Sequence, residues 1–238
     1  MSAAVRVNGV IVAIDGPSGA GKSSITKLLA RRLGYLHIDT GAMFRAVALM
    51  AKRAGIGCQD DAGLAELCRG LAISFEREGG ACRVLANGED VSAAIRSEEV
   101  GLLTSCVSAR KPVRDALLAM QRSMGERGGV ILEGRDIGTV VFPDAEVKFY
   151  LFASAEERGR RRFLELSGRG EQVTLEETIE KVVCRDRQDE GREHAPLRKA
   201  ADAVPIDSTA LSIDEVLELM ERTVRQRIAA GQGRGPWR

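Results

Sequence analysis

Aromatic residues are scarce in this chain, since only 4% of its 238 residues are Phe, Tyr or Trp. Proteins that bind single-stranded nucleic acid stack bases on aromatic side chains, so this composition argues against that class. An excess of charge of one sign is also lacking, because the formal net charge is +1. A near-neutral chain argues against general binding to a nucleic-acid polymer or to a membrane surface.

Long apolar runs and cysteine pair motifs are absent as well. No apolar run approaches the roughly 20 residues of a membrane span, and the N-terminal stretch lacks the apolar core of a signal peptide. An odd, scattered set of cysteines predicts reduced thiols rather than a disulfide framework or a zinc site. We therefore expect a soluble, cytoplasmic protein. The cysteines are Cys58, Cys68, Cys82, Cys106 and Cys184.

What the sequence does contain is a complete phosphate-binding loop between a strand and a helix. The apolar run 10–14 predicts a buried strand, and residues 22–33, closed by Gly34, predict a helix. Glycines let backbone N–H groups curl around a phosphate, and the helix N-terminus adds the positive end of its dipole. The residues of this loop are Gly16, Pro17, Ser18, Gly19, Ala20, Gly21, Lys22, Ser23 and Ser24.

Two side chains carry the chemistry that this loop predicts. We expect Lys22 to face solvent and to reach the β- and γ-phosphates of ATP, and the Ser23 hydroxyl to ligate Mg²⁺. The alternative is a glycine-rich turn with a chance lysine. The order of strand, loop and helix disfavours that alternative.

The rest of the pattern predicts an α/β fold. Apolar runs at 35–38, 130–132, 147–152 and 203–206 alternate with helical stretches, which indicates a parallel sheet flanked by crossover helices. Within an inserted region, runs at 71–76 and 82–86, separated by Gly-Gly and followed by Asn-Gly, predict a small antiparallel sheet. Further helices are expected at 97–110, 113–124, 154–166, 175–189 and 212–228, with a disordered tail at 231–238.

Polar residues follow the strand at 35–38, at the edge where open α/β sheets bind their ligands. Asp39 or Thr40 is suited to cap the next helix, and Arg45 then lies near the carboxyl end of the strand. A helix cap followed by a solvated arginine explains the segment equally well.

A second charged pair follows the strand at 130–132. Arg135 suits a phosphate, and Asp136 can accept a hydrogen bond from the amino group of a base. The alternative is a surface salt bridge in a loop. We favour the binding role because the pair stands at the end of an apolar strand.

A third group is spaced for one helix face. Arg185, Asp189 and Arg192 are separated by four and three residues, so one face of the helix predicted from 175 would carry all three. Such a row could bind a phosphate through the arginines and ribose hydroxyls through the carboxylate. Taken alone, however, the spacing favours an exposed ladder of ion pairs.

Arginines also crowd the preceding helix. The cluster predicts a mobile lid that closes over ATP and excludes water, and the alternative is one solvated basic face. Its members are Arg158, Arg160, Arg161 and Arg162, followed by Ser167-Gly168-Arg169-Gly170.

With these segments placed, the chain closely resembles the bacterial cytidylate kinases of the nucleoside monophosphate kinase group. The resemblance runs from about residue 10 to residue 228, and the run at 134–145, Gly-Arg-Asp-Ile-Gly-Thr-Val-Val-Phe-Pro-Asp-Ala, is its most specific part. The other matching segments are 15–24, 39–45, 88–96, 113–114 with 121–122, 185–192, 195–197 and 206–209.

The resemblance implies a role for each matching residue. It implies that Arg45, Arg135 and Arg185 bind phosphate, that Ser105, Arg114 and Asp136 read cytosine, and that Thr40 and Asp189 hold ribose with support from Arg192. Lys22, Arg135, Arg185 and Arg192 would be the catalytic residues. The expected reaction is Mg²⁺- and ATP-dependent phosphorylation of CMP and dCMP by a monomer that binds neither membrane nor nucleic-acid polymer.

The resemblance also implies a division of the chain. We expect one kinase unit, with its core at about 8–58, 126–155 and 195–230, a monophosphate-binding insertion at about 59–125, a short arginine-rich lid at about 156–192 and the tail at 231–238. The nearest rival is another small-molecule or nucleoside monophosphate kinase, such as one for UMP or AMP. A switch GTPase is disfavoured because the Asn-Lys-x-Asp guanine motif is absent.

Overall fold

The computed structural model describes residues 8–78 and 81–232, which form two compact units. Unit 1 contains the residues up to His37 and from Arg127 onward, and unit 2 is Ile38–Glu126. In chain order the strands are β1 (Ile11–Asp15), β2 (Leu36–Asp39), β3 (Ile73–Glu78), β4 (Ala81–Ala86), β5 (Glu89–Asp90), β6 (Val130–Gly134), β7 (Val147–Phe152) and β8 (Val204–Asp207). The α-helices are α1 (Lys22–Leu33), α2 (Thr40–Arg53), α3 (Asp61–Arg69), α4 (Glu98–Val107), α5 (Lys111–Gly125), α6 (Ala155–Ser167), α7 (Leu175–Glu190) and α8 (Ile213–Gln232).

A five-stranded sheet forms the centre of unit 1, with the order β2-β6-β1-β7-β8. Strand β1 pairs in parallel with both β6 and β7, and β7 pairs in parallel with β8. All five residues of β1 and of β6 are buried, as expected for central strands of a sheet covered on both faces. Their carboxyl ends lie level, because Asp15 stands opposite Gly134 and Tyr150 in the register. This edge carries the segments that follow β1 and β6.

The core of unit 1 explains why α1 and α8 pack where they do. Buried residues of α1, such as Leu29, and of α8, such as Met220, form one apolar cluster with β1 and β7. Gly34 ends α1 in the left-handed conformation (φ 70°) and donates its N–H to the carbonyls of Ala30 and Arg31. The prediction of a helix at 22–33 closed by Gly34 is therefore confirmed.

Unit 2 contains α2 to α5 and a three-stranded antiparallel sheet, β3-β4-β5. Asn87 (φ 50°) and Gly88 (φ 83°) form the turn between β4 and β5, as the Asn-Gly pair predicts. The other predicted turn, Gly79-Gly80, lies outside the described residues. The α/β fold with a parallel sheet, flanking helices and an inserted antiparallel sheet is confirmed. The proposed division into core, insertion and lid stays a prediction.

The expected start of the tail is wrong in detail. Gly231 and Gln232, which the tail prediction included, belong to the end of α8, since the helix-forming pair Ala229-Ala230 carries it onward. The rest of the predicted tail, residues 233–238, lies outside the described residues. Across the described part of the chain, no helix is both long and apolar enough to cross a membrane.

The expectation of five reduced thiols is also wrong. Cys58, in the connection after α2, forms a disulfide with Cys106 in the last turn of α4, and their Cα atoms are 5.9 Å apart. The two residues are 48 positions apart, so only the packing of unit 2 brings them together. Cys68 is buried, whereas Cys184 is exposed.

Candidate functional site

The phosphate loop of unit 1 connects the end of β1 to the start of α1. Its backbone excludes side chains at two positions. A Cβ on Gly16 (φ +147°) would lie 1.9 Å from the carbonyl oxygen of Leu151, and a Cβ on Gly19 (φ +79°) would lie 3.0 Å from the Cβ of Arg158. Neither glycine tolerates a larger residue, so the loop path depends on both.

Lys22 does not face solvent, which corrects the expectation from the sequence. Its side chain is buried, and its ammonium donates to the carbonyls of Gly16 (2.7 Å) and Pro17 (2.6 Å), so the lysine folds back onto its own loop. Burial and the neighbouring Arg135 guanidinium hold the pKa of Lys22 well below its ordinary value. Lys22 is therefore buried near a second cationic side chain, Arg135. This arrangement favours the binding of an anion.

The hydroxyl of Ser23 is oriented by a buried carboxylate. Ser23 Oγ donates to Glu133 Oε2 at 2.8 Å, and Glu133 Oε1 lies 2.8 Å from Nε2 of the buried His37. With its proton donated to Glu133, the serine oxygen presents its lone pairs elsewhere. An exposed hydroxyl oxygen beside a carboxylate is the kind of donor set that a hard divalent cation prefers.

Further contacts support the backbone of the loop from outside. The Ser208 hydroxyl, just after β8, lies within hydrogen-bonding distance of the carbonyls of Ala20 (3.2 Å) and Phe152 (3.1 Å), and its one proton can be donated to either. A guanidinium nitrogen of Arg158 donates to the carbonyl of Ser18 at 3.1 Å. The middle of the loop, at Ser18 and Ala20, thus contacts neighbouring elements of unit 1.

The arginine cluster of α6 divides into different environments. Arg158 is buried and forms a bidentate pair with Asp186 of α7 at 3.0 and 2.6 Å, so it packs α6 against α7. Arg161 contacts Glu157 and donates to the carbonyl of Ser208 at 2.6 Å. Arg160 and Arg162 are exposed and pair with glutamates of the same helix. Closure of these arginines over ATP stays a prediction.

The loop after β6 carries Arg135 and Asp136 and is tied to β1. Both oxygens of the buried Asp15 carboxylate accept backbone N–H groups, one from Ile137 (2.8 Å) and one from Gly138 (2.7 Å). The Asp136 carbonyl then accepts from two later N–H groups and opens a short π-helical turn, Ile137–Val141. Burial raises the pKa of Asp15 to about 6, although the two N–H groups act in the opposite direction.

Asp189 joins the acceptor-side arginines of unit 1. Its buried carboxylate accepts from Arg135 Nε at 2.7 Å and from the Arg192 guanidinium. Burial alone would raise the pKa of Asp189, but Arg135 and Arg192 hold it below its ordinary value. An exposed ladder of ion pairs, favoured by spacing alone, is therefore wrong for Asp189, while Arg185 is exposed one turn earlier on α7.

The expectation of one helix face for the whole row is wrong at its last member. Helix α7 ends at Glu190, and Gly191 follows it as the C-cap, so Arg192 lies beyond the helix. Arg192 still reaches Asp189, because the chain turns back after the glycine and the N–H of Leu197 donates to the Asp189 carbonyl at 2.8 Å.

In unit 2, Asp39 both caps α2 and holds Arg45. One of its carboxylate oxygens accepts the N–H of Ala42 at 2.9 Å, and the other accepts from the Arg45 guanidinium at 2.8 Å. Of the two candidates for the cap, Asp39 is thus the capping residue, and Thr40 is the buried first residue of α2. Arg45 is partly exposed and held in one orientation.

Arg114 and Ser105, the two base-reading candidates of unit 2, each form a hydrogen bond with Ser108. Arg114, in the first turn of α5, donates to the Ser108 carbonyl at 3.1 Å, and the Ser108 hydroxyl donates to the Ser105 carbonyl at 3.3 Å. The Arg114 guanidinium also lies over the ring of Phe44, 5.4 Å from the ring centroid. Phe44 directly precedes Arg45 in the sequence. Unit 2 therefore brings Arg45, Arg114 and Ser105 onto neighbouring elements.

Sequence reasoning missed several residues that shape the site. Asp15 and Glu133 each end a buried strand as a charged residue after an apolar run, which was the available signal. Ser208 and Arg158 carry no comparable signal, because a serine after a strand and one arginine among four are both common. Their partners come from distant parts of the chain and require the fold.

A phosphate loop between strand and helix, a lysine held in that loop and an arginine directly after the neighbouring strand β6 define a P-loop phosphotransferase. The model of the cytidylate kinase family matches residues 12–226. The chain therefore belongs to the cytidylate kinase family.

Relatives named cytidylate kinase agree with this assignment over nearly their whole lengths. The chain is 81% identical over 227 residues to that of Geobacter sp. (strain M21), which covers 95% of this chain and 97% of the relative. It is 79% identical to that of Citrifermentans bemidjiense, with 96% and 98% covered. It is 68% identical to that of Geobacter sulfurreducens, with 98% and 100% covered.

Proposed function

We propose that the residues described above carry out the cytidylate kinase reaction of this chain, transfer of a phosphoryl group from ATP to CMP or dCMP with Mg²⁺. The proposal is supported most by the phosphate loop of unit 1, in which Lys22 donates to the carbonyls of Gly16 and Pro17, and by Arg135, which directly follows the neighbouring strand β6. Burial, and then the charge of Arg135, lowers the pKa of Lys22. Two such cations offer a site for the polyphosphate of the donor and the phosphate of the acceptor.

The phosphate loop would bind the donor. Backbone N–H groups of the loop and of the first turn of α1 would hold the phosphates of ATP, and Lys22 would exchange its carbonyl partners for phosphate oxygens. Ser23, oriented by Glu133, would hold Mg²⁺. Held there, Mg²⁺ would supply positive charge against the negative charge that develops on the phosphates during transfer.

Three arginines would bind the acceptor phosphate, namely Arg45, Arg135 and Arg185. A planar guanidinium matches two phosphate oxygens at once, which a lysine ammonium cannot do. Arg45 is oriented by Asp39 and Arg135 by Asp189, so neither has to search for its orientation on binding. Arg192, which donates to the other oxygen of the Asp189 carboxylate, would stabilise the phosphoryl group during its transfer. No side-chain nucleophile is required, because positioning and charge neutralisation account for most of the catalysis of phosphoryl transfer.

Asp189 and Thr40 would hold the ribose of the acceptor. A carboxylate accepts hydrogen bonds from sugar hydroxyls, and ionised Asp189 accepts only. Because dCMP lacks the 2′-hydroxyl, the part of binding that depends on this group differs between the two substrates.

Cytosine would be read by Asp136, Arg114 and Ser105. Its 4-amino group donates, whereas N3 and O2 accept, so Asp136 suits the amino group and Arg114 and the Ser105 hydroxyl suit the two acceptors. Uracil reverses the pattern at position 4 and at N3. Mispairing of desolvated polar groups costs about 1–3 kcal/mol each, which gives CMP an advantage of one to several orders of magnitude.

We further propose a cytoplasmic monomer in pyrimidine nucleotide metabolism, which fits a reaction that consumes soluble nucleotides. The test of the proposed function is ATP consumption by the purified protein with CMP, dCMP, UMP, AMP and GMP as acceptors, each with and without Mg²⁺. Activity with CMP and dCMP that requires Mg²⁺ is expected. Preference for AMP or UMP would instead support one of the rival monophosphate kinases.

A further inference from the structure

Asp15 is the last residue of β1, directly before the phosphate loop, and no role above depends on its side chain. It is a buried carboxylate, with only 3% of its surface exposed. A buried charge is costly unless hydrogen bonds compensate it. The Asp15 carboxylate is compensated by two hydrogen bonds that it accepts. Both come from the loop that follows β6, and neither comes from the phosphate loop.

Those two bonds fix one side of a very short segment. Ile137 and Gly138 donate to the Asp15 carboxylate, immediately after Arg135 and Asp136. The other side of the segment is fixed by the sheet, because Gly134 stands opposite Asp15 itself in the parallel register. Both flanks of Arg135-Asp136 are therefore anchored on one residue.

We propose that Asp15 is a positioning residue, which sets Arg135 and Asp136 for the acceptor nucleotide relative to the strand that carries the phosphate loop. This inference rests on the proposed roles of Arg135 and Asp136. Two residues held at both flanks have little freedom, so the directions of the phosphate-binding guanidinium and the base-reading carboxylate depend on the anchor. Because the anchor adjoins Gly16, the donor loop and the acceptor loop share one reference point.

A side chain at Gly138 would leave the Asp15 carboxylate in place. A Cβ there would lie 3.4 Å from Asp15 Oδ2, which is an ordinary van der Waals contact, and 3.1 Å from the Cδ of Lys148. An alanine at this position would therefore crowd the Lys148 side chain and not Asp15. Substitution of Asp15 itself is the direct test.

The first test is Asp15→Asn, with steady-state kinetics for CMP, UMP and ATP at saturating co-substrate. The amide keeps one acceptor oxygen but turns an NH₂ group toward the second backbone N–H, so one of the two bonds is lost. We expect the CMP/UMP ratio of kcat/KM to fall at least about fivefold and KM for CMP to rise, with KM for ATP within about twofold of wild type. A matched control is Asp60→Asn, which alters a carboxylate that caps α3 by accepting the N–H of Gly63 at 2.9 Å. That variant should keep the CMP/UMP ratio of wild type.

Should Asp15→Asn fail to fold, Asp15→Ser leaves a single hydroxyl oxygen as acceptor for the two backbone N–H groups and should lower the CMP/UMP ratio in the same direction. An unchanged CMP/UMP ratio in the folded variant, or a change confined to KM for ATP, would overturn the inference.

Asp136→Asn separates this failure from failure of the proposed function. If Asp136→Asn lowers the ratio and the Asp15 variant does not, only the positioning role is lost. If Asp136→Asn also leaves the ratio unchanged, the base-reading role on which the inference rests is wrong.

Discussion

Arg158 provides the sharpest contrast between the sequence interpretation and the structure. If Arg158 were an arm of a mobile lid, its loss would leave the stability of the ligand-free protein unchanged. As placed, its guanidinium is buried and donates to the carbonyls of Ala153 (2.9 Å) and Ser18 (3.1 Å) and to both oxygens of Asp186. The substitution Arg158→Met keeps much of the side-chain volume and removes all of these bonds.

The expected cost follows from those partners. Removing one partner of a buried ion pair costs about 3–5 kcal/mol, because the remaining charge stays desolvated. The side chain of Asp186 is 16% exposed, so water relieves part of its penalty and we take the lower end, about 3 kcal/mol. For a chain of this length that corresponds to a fall in Tm of roughly 6–12 °C.

Thermal unfolding of the ligand-free protein, followed by circular dichroism, measures this effect. The control is Arg160→Met on the same helix, whose exposed guanidinium pairs only with Glu157 among the contacts described and should melt with the wild type. Because Arg158 also holds Ser18, its loss should raise KM for ATP. Equal melting temperatures of the Arg158 and Arg160 variants would refute the account of Arg158 as a buried anchor.

Three further outcomes are expected. Lys22→Ala should lower kcat on the order of 10³-fold or more in a protein that still folds, as measured by CMP-dependent ATP consumption; near-normal turnover would mean that this loop is not the ATP site. Asp189→Ala should impair CMP and dCMP to different extents in kcat/KM, and equal, negligible losses would remove its ribose role. Because burial raises the pKa of Asp15 from 3.8 to about 6, its proton stabilises the folded state, so wild-type stability should fall by about 2 kcal/mol relative to Asp15→Asn as the pH rises from 4 to 7. Parallel pH–stability curves from urea unfolding of the two proteins would contradict that pKa.

Local patterns were sufficient to predict the sheet strands and the phosphate loop. Strand β7 has the predicted bounds, and α1 begins at Lys22 and ends before Gly34 as expected, because apolar runs and glycine caps act over a few residues. The antiparallel turn at Asn87-Gly88 follows from the same short-range chemistry.

The errors concern contacts between distant segments. The inward orientation of Lys22 depends on desolvation by the folded sheet, and the burial of Arg158 depends on Asp186 of another helix. The Cys58–Cys106 disulfide joins a loop to a helix end, and cysteine spacing alone gives no information on such a pair. Spacing alone places Arg192 on α7, because it does not show that the helix stops before Gly191.

The most direct test of the account is the CMP/UMP ratio of kcat/KM, measured for the wild type and for Asp136→Asn under identical conditions with Mg²⁺ and ATP. The wild type should prefer CMP by about 10- to 1,000-fold, since uracil presents the wrong group at position 4 and at N3. An amide can donate to the uracil oxygen, so Asp136→Asn should narrow the ratio by about tenfold or more. A wild type that prefers UMP or AMP, or a ratio that Asp136→Asn leaves unchanged, would contradict the assignment of the acceptor site.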